Sequence, residues 1–327
     1  MTLEELRRQL DALDQQLLSI IAERQALGTE IARAKRDAGL PTRDFRRERE
    51  VLVRARDNAQ QLGVPPALGE AIMQLLIRSS LTAQEREQVV AQGQGTGRTA
   101  LVIGGAGKMG LWFSRFLTAQ GYTVTVADPK QAIDGFDYLP DWRSDALQQD
   151  LIVVATPIKT SNDVLLELAK RRPRGVVFDL GSLKTPLRAG LTALRSAGVA
   201  VTSVHPMFGP DTDLLSGRHV IFIDLGDAQS LQLAQSLFVS TMAEQVVMSL
   251  DEHDRLIAYV LGLSHALNIS FFTALANSGE HAQRLASLSS TTYDAQIDIA
   301  TKVSKESPEL YFEIQQLNEY GQSSLKA

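Results

Sequence analysis

The chain has 327 residues, of which 44% are hydrophobic, so it is long enough for two or three domains with sizeable cores. Its net charge of −5 gives no reason to expect a nucleic acid or an anionic membrane surface as a partner. The absence of cysteine excludes disulfides and thiolate chemistry, and the five scattered histidines lack the spacing of metal ligands, so no metal is expected. The acidic N-terminus is unlike a signal sequence and no apolar run is expected to reach membrane-span length, so a cytoplasmic location is expected.

Residues 1–92 are predicted to be all-helical, beginning with one long helix that runs to about Ala38. Along this helix, apolar residues step alternately by three and four, which is a heptad seam. Arg24 occupies a position in that seam, where a lone cation is costly without a partner. Lys35 points the same way, about 20° around the helix, so the two cations indicate a buried anion. A plain coiled-coil dimerisation segment is the alternative. The apolar seam residues are Leu3, Leu6, Leu10, Leu13, Leu17, Ile20, Leu27, Ile31 and Ala34.

Two further helices are predicted after the Gly39-Leu40-Pro41 stop, over about 44–61 and from about 65 onward. Both carry polar side chains within or beside an apolar face. The pattern favours a buried polar site, and solvated faces with exposed charge clusters are the alternative. The polar residues are Asp44, Arg47 and Glu48 on the second helix and Ser80 and Gln84 on the third.

Residues 3 to about 90 resemble the all-helical chorismate mutases. The resemblance implies rearrangement of chorismate to prephenate, which needs the flexible dianion held in a reactive conformer and no nucleophile. Arginines would bind the carboxylates, Lys35 and Gln84 would stabilise charge on the breaking ether oxygen, and Glu48, with Asp44, would bind the ring hydroxyl. Arg7 would reach the partner subunit's site, which implies an intertwined homodimer. The matching positions are Arg7, Arg24, Lys35, Asp44, Arg47, Glu48, Ser80 and Gln84.

A glycine-rich turn follows a predicted flexible joint at 93–98. Gly105, Gly107 and Gly110 form G-x-G-x-x-G between an apolar run and a helical pattern, which indicates a dinucleotide-binding unit. An acidic residue ends the second apolar run, where it would bind a ribose 2′-hydroxyl and repel a 2′-phosphate. NAD is therefore expected as the cofactor. The predicted cofactor-binding residues are Gly105, Gly107, Lys108, Met109, Gly110, Asp128 and Thr156.

Residues 99–250 are expected to form a Rossmann-like, doubly wound sheet, because candidate buried strands alternate with helical patterns. Ligands of such sheets lie at the carboxyl ends of the strands. Ser182, Lys184 and His205 all follow predicted strands closely. For His205, a loop histidine bonded to the backbone is the alternative interpretation.

The motifs VIGGAGKMG, DLGSLK and HPMFGPD, in that order, are similar to those of the prephenate dehydrogenases. The resemblance implies NAD-dependent oxidative decarboxylation of prephenate to 4-hydroxyphenylpyruvate. His205 would be the general base for the 4-hydroxyl, Ser182 would orient it, and Lys184 would lie near the nicotinamide as a further cofactor-binding residue. With the helical segment before them, these motifs resemble the bifunctional mutase–dehydrogenases of tyrosine biosynthesis.

Residues 251–327 are expected to form a helical dimerisation and substrate domain that begins with a long, largely buried helix. On this helix the resemblance gives histidines at the positions of His253 and His265. His265 would bind the substrate by resemblance, whereas the bare pattern indicates a core histidine. The chain ends at Ala327, before the terminal helices of the family, which fits either a fragment or a shortened branch.

Two departures from the family leave the dehydrogenase substrate open. Lys302 and Asp294 stand where the family has arginines, and Lys302 is still expected to bind the substrate. These changes motivate an alternative in which both reactions act on the 4-amino-4-deoxy analogues of chorismate and prephenate. A third interpretation is a regulatory binding module with an inactive dehydrogenase half, against which the intact Ser182 and His205 argue.

Overall fold

The computed structural model describes residues 1–304 and 308–326, without the side chains at 282, 283, 286, 302–304 and 308–310. The side chain of Lys302 and the chain end at Ala327 therefore lie outside the described part. The N-terminal unit is helical, as predicted, and α3 packs on both α1 and α2. A capping box at Thr2 starts the first helix, and the Asp44 side chain caps the second. The three helices are α1 (Leu3–Asp37), α2 (Phe45–Gln61) and α3 (Pro66–Ala91).

The apolar seam of α1 is largely bare in the single chain. Leu10 and Leu13, for example, are 59% and 60% exposed. An exposed apolar stripe of this length is typical of a protein–protein contact.

The nucleotide-binding unit contains a five-stranded parallel sheet of order β3-β2-β1-β4-β5. A second sheet of order β6-β7-β8 follows, in which β6 runs antiparallel to β7. The Rossmann-like fold class is confirmed, although the sheet is divided and β3 is too short for its pattern to be recognised. The elements are β1 (Thr99–Ile103), α4 (Lys108–Ala119), β2 (Thr123–Ala127), β3 (Asp137–Leu139), β4 (Leu151–Val154), α5 (Ile158–Arg171), β5 (Val176–Asp179), α6 (Arg188–Ser196), β6 (Ser203–Pro206), β7 (His219–Ile223), α7 (Ala228–Ser236) and β8 (Glu244–Met248).

The joint between these units, predicted to be a flexible linker, packs closely against the turn between α4 and β2 at two of its glycines. The Gly95 N–H donates to Gln120 O at 2.9 Å. A Cβ on Gly93 would lie 2.4 Å from the same oxygen, and one on Gly95 would lie 2.2 Å from the Tyr122 ring. These glycines permit close approach of two backbones, a use of glycine that composition cannot distinguish from flexibility.

From Leu250 onward the described chain is helical. By length and composition alone, the helical stretch Leu250–Asn277 is long and apolar enough to span a membrane, so the expectation that no apolar run reaches this length was wrong. The expectation of a largely buried helix was also wrong for the single chain, since Val260 and Leu267 are 55% and 61% exposed. Periodicity cannot distinguish a core face from a subunit interface. The elements are α8 (Leu250–Ile257), a π-helical segment (Ala258–Leu263), α9 (Ser264–Asn277), α10 (Ala282–Ser287), α11 (Thr291–Ser304), α12 (Pro308–Leu317) and α13 (Gly321–Lys326).

Candidate active sites

The first polar cluster lies where α1 packs on α3. Arg24 is half-buried, and its Nη1 donates to Ser80 Oγ at 2.9 Å and to Leu76 O at 3.1 Å. Burial lowers the pKa of this guanidinium. Gly28 is buried in the contact, where a Cβ would lie 3.3 Å from Ser80 Oγ. Sequence reasoning missed Gly28, because an isolated glycine in a heptad pattern carries no periodic signal.

The start of α2 lies beside the end of α1. Lys35 Nζ donates to Thr42 O at 2.8 Å. The Asp44 carboxylate accepts the Arg47 N–H at 3.0 Å. That hydrogen bond, together with nearby cations that include Lys35, lowers the pKa of the Asp44 carboxyl. The chain therefore places a carboxylate and an ammonium group close together at this end of the cluster.

A carboxylate and an amide complete the cluster. Glu48 accepts two hydrogen bonds of 2.9 Å from Arg43, through Nε and Nη2. Gln84 on α3 is buried, and its Oε1 has no hydrogen-bond partner among the described residues. A buried polar atom without a partner is costly, so its presence is typical of a site that a ligand completes.

Two predicted arginines lie outside this cluster. Arg47 is exposed and pairs with Glu50 at 3.4 Å. Arg7 is exposed on α1, and it lies about 25 Å from Arg24 at the 1.5 Å rise of a helix. Neither side chain contributes to the cluster of its own chain. Among the predicted residues, the described contacts join Arg24 to Ser80 and place Lys35 close to Asp44. Glu48 and Gln84 lie on α2 and α3, which pack on each other.

The turn between β1 and α4 is shaped for close backbone approach. Gly104 has a φ of 83°, so this residue, and not Gly105, makes the tight turn assigned to the first glycine of the motif. A Cβ on Gly110 would lie 2.3 Å from Gly104 O. Gly107 caps α4 without a side-chain hydrogen bond, which leaves the first N–H groups of the helix available to an anion. Met109, the second residue of α4, is half-buried.

Three further predicted cofactor residues surround this turn or lie at strand ends. The buried Asp128 follows β2, and its Oδ2 accepts the Ala106 N–H at 3.2 Å. Its position beside the turn fits a ribose hydroxyl. Thr156 follows β4, with its Oγ1 2.9 Å from Ser161 Oγ. Lys108 is exposed and lines a cavity of about 670 Å³ between α3 and α4.

The second candidate site is a buried row of three side chains between β6 and α8. His205 Nδ1 lies 2.8 Å from His253 Nε2, and His253 Nδ1 lies 2.6 Å from Asp254 Oδ1. The backbone N–H groups of Lys184 and Thr185 donate to the Asp254 carboxylate at 2.9 and 2.6 Å. Sequence reasoning missed Asp254, because a helical acid beside a histidine has no distinctive local pattern.

This row determines where the protons lie. The Asp254 carboxylate can only accept, so His253 donates from Nδ1 and its Nε2 accepts from His205 Nδ1. His205 Nε2 is left with a lone pair. Burial, followed by the charges of His253 and Lys184, holds the pKa of His205 well below 6.5. The imidazole is therefore neutral at pH 7 and able to accept a proton.

Lys184, predicted to lie near the nicotinamide, occupies a buried position beside β5 and β6. Its side chain is fully buried, and its Nζ donates to Asp179 Oδ1 at 2.7 Å and to Val204 O at 3.0 Å. Burial lowers the pKa of its ammonium, and the Asp179 carboxylate opposes that change. The ammonium thus joins Asp179, the last residue of β5, to Val204 of β6. The nearby Ser182 Oγ is buried without a hydrogen-bond partner among the described residues.

The predicted substrate residues of the C-terminal unit have other neighbours. The His265 ring packs edge-on against Tyr311, with 4.4 Å between ring centroids. Asp294 is exposed and accepts a hydrogen bond from the Ser289 hydroxyl. Lys302 lies among the side chains that the structure does not describe. The contacts described for His265 and Asp294 do not include the His205 row.

Known proteins resemble the chain over nearly its whole length. Family profiles match residues 6–85 (chorismate mutase type II), 125–247 (prephenate dehydrogenase, nucleotide-binding domain) and 249–327 (prephenate dehydrogenase, dimerization domain). The T-protein of Enterobacter agglomerans is 29% identical over 313 residues, which are 94% of this chain and 80% of that protein. The 4-amino-4-deoxyprephenate dehydrogenase of Streptomyces pristinaespiralis is 27% identical over 229 residues, 67% of this chain and 77% of that protein.

A solved structure shares the fold of the dehydrogenase part. The crystal structure of prephenate dehydrogenase from Aquifex aeolicus with hydroxyphenyl propionate and NAD⁺ matches this chain with a TM-score of 0.59 and 19% identity. The match covers 70% of this chain and 86% of the Aquifex chain. The glycine turn, the uncapped helix start and Asp128 fit the same cofactor, NAD. From the three family profiles and the likeness to the T-protein, the chain belongs to the bifunctional chorismate mutase/prephenate dehydrogenases of tyrosine biosynthesis.

Proposed function

We propose that the two reactions take place at two separate sites of the chain. The mutase site comprises the polar cluster of α1, α2 and α3, and the dehydrogenase site comprises the His205 row with Ser182. The corresponding domains are 1–92, 99–250 and 251–327, and residues 93–98 join the first two. The observation that carries the proposal is the row Asp254–His253–His205, because it leaves a single basic nitrogen at a strand end of the NAD-binding domain.

At the mutase site, the residues hold chorismate in its reactive shape and take no proton from it. Arg24, which Ser80 orients, binds a carboxylate. Lys35 and the amide of Gln84 stabilise the negative charge that grows on the ether oxygen. The Glu48 carboxylate accepts a hydrogen bond from the ring hydroxyl of chorismate. The NH2 group of Gln84 would be the donor to the ether oxygen, and the burial of this side chain on α3 supports its placement in a binding site.

At the dehydrogenase site, His205 Nε2 accepts the proton of the 4-hydroxyl as the carbon–hydrogen bond breaks. Bound NAD supplies the hydride acceptor. The electron pair of the breaking carboxylate bond then enters the ring, carbon dioxide leaves, and the ring becomes aromatic. Ser182 orients the hydroxyl towards His205. Asp254 and His253 keep the proton of His205 on Nδ1, so that Nε2 stays basic.

The exposed apolar surfaces support a homodimer, for which a cytoplasmic location is proposed from the composition of the sequence. The bare seam of α1 and the exposed face of α8 and α9 each need a partner surface, and a second copy offers both. Arg7 lies too far from the cluster of its own chain, which supports its insertion into the partner's mutase site. Arg47 would bind a substrate carboxylate of the mutase site of its own chain after release from Glu50, an exposed pair that costs little to break.

We assign the 4-hydroxy series as substrates. Asp294, which motivated the 4-amino alternative, is exposed and bonded to Ser289. The likeness to the Streptomyces dehydrogenase is the observation that keeps the 4-amino substrate as a second candidate. Comparing kcat/KM for prephenate and its 4-amino analogue decides between them, and a preference for the analogue would refute the assignment.

The experiment that tests both sites is incubation of the chain with chorismate and NAD, with products identified by mass spectrometry. Lys35→Ala is expected to stop the reaction at chorismate while the helices stay folded. His205→Asn is expected to accumulate prephenate, with oxidation about a hundredfold slower and NAD affinity retained. Normal turnover of chorismate by the first variant, or of prephenate by the second, would remove that residue from its role.

A further inference from the structure

The mutase cluster extends beyond the helical domain. Arg43 binds Glu48 with two hydrogen bonds and directs its remaining edge, Nη1, to Ser216 Oγ at 2.6 Å. Ser216 belongs to the loop 207–218, which joins β6 to β7 in the NAD-binding domain. The Arg43 guanidinium also lies 4.2 Å from the centroid of the Phe45 ring. Arg43 is thus held by three neighbours, one of which comes from the other catalytic domain.

The same loop is attached to α3 at the preceding residue. The Leu215 N–H donates to Glu85 Oε2 at 2.7 Å, and the Met242 N–H donates to Glu85 Oε1 at 2.5 Å. Glu85 is buried and directly follows Gln84 in the helix. The adjacent loop residues Leu215 and Ser216 therefore contact Glu85 on α3 and Arg43 beside α2, respectively. These two attachments fix the position of the Ser216 hydroxyl.

We propose that Ser216 is a positioning residue of the mutase reaction, acting through Arg43 on Glu48. The proposal rests on the assignment of Glu48 to chorismate binding. A partly exposed ion pair alone restrains long side chains weakly, because their entropy offsets the attraction. The Ser216 hydroxyl limits that freedom, so the Glu48 oxygens keep their remaining lone pairs directed to the substrate. The mutase site therefore includes a residue of the NAD-binding domain.

The test measures both activities of the full-length chain. Ser216→Ala is expected to lower mutase kcat/KM about fivefold to tenfold, the effect of losing one typical intramolecular hydrogen bond, and to leave prephenate oxidation unchanged. Ser216→Thr keeps the hydroxyl and is expected to restore the rate. In an Arg43→Met background, Ser216→Ala should cause no further loss, because its effect passes through Arg43.

A matched control lies in the same loop. Asp213 pairs with Arg86 of α3 at 2.7 Å, and both side chains are exposed. Asp213→Asn also removes a link between the domains, but it should leave both activities unchanged.

Three results would overturn the proposal: no mutase loss in Ser216→Ala, an undiminished loss in the Arg43→Met background, or an equal fall of both activities. Glu48→Gln separates this inference from the proposed function. If Glu48→Gln keeps full mutase activity, the assignment of Glu48 fails. If Glu48→Gln is inactive and Ser216→Ala is normal, only the role of Ser216 fails.

Discussion

Replacing Lys184 by methionine tests whether this residue binds the cofactor or supports the fold. Both members of the Lys184–Asp179 pair are fully buried, 2.7 Å apart. Methionine fills similar volume but leaves the Asp179 carboxylate with the Gly181 N–H as its remaining described partner, at 2.8 Å. Breaking a buried pair by removing one partner costs about 3–5 kcal/mol. We expect Lys184→Met to lower the free energy of unfolding by that amount.

The double variant Asp179→Asn/Lys184→Met is the matched control, since it removes both charges and should recover most of the loss. Urea unfolding followed by tryptophan fluorescence measures the effect, because Trp112 and Trp142, the two tryptophans of the chain, lie in the NAD-binding domain. If Lys184→Met unfolds like the unmodified protein but binds NAD tenfold more weakly, the structural role is refuted and the cofactor role holds.

Three further outcomes are expected. Gly110→Ala places a Cβ 2.3 Å from Gly104 O; it should weaken NAD binding in a calorimetric titration and spare mutase turnover, and normal NAD affinity would contradict the close packing. In Asp254→Asn, the new amide NH2 donates to His253 Nδ1, which reverses the tautomers of His253 and His205. The kcat for prephenate should therefore fall about a thousandfold or more at unchanged NAD affinity. A loss below tenfold would show that Asp254 and His253 do not set the tautomer of His205. The pKa of His205, followed by NMR titration of its imidazole, should lie below 6.5. As the pH falls below 6.5, His205 is protonated in the unfolded chain before it is protonated in the folded chain. The contribution of His205 to the free energy of unfolding should therefore fall with falling pH, and a measured folded-state pKa above 6.5 would predict the opposite pH dependence.

Much of the fold follows from local signals in the sequence. The capping residues Thr2 and Asp44 start α1 and α2 where the apolar periodicity predicts. The glycine motif, followed by a helix, a strand and Asp128, predicts the NAD-binding unit. These features depend on residues within a few turns of one another, so the pattern contains the information needed to predict them.

The candidate sites were only partly predictable. Residue types that match the chorismate mutases identified Arg24, Lys35 and Gln84, but periodicity alone left solvated faces as an alternative. For the helical stretch Leu250–Asn277, the apolar residues correctly indicate a surface that needs cover. They do not reveal whether the core of the same chain or a second subunit covers it.

The sequence by itself determined the helices, the strands and the glycine turn, because each depends on nearby residues. Only the tertiary structure decided that His205, His253 and Asp254 form one row, that the Lys184 ammonium binds Asp179, and that Ser216 contacts Arg43. His205 and His253 are 48 positions apart, and Arg43 and Ser216 are 173 apart. The physical reason is that a hydrogen bond depends on distance and direction in space, and for residues this far apart the folded chain alone sets both.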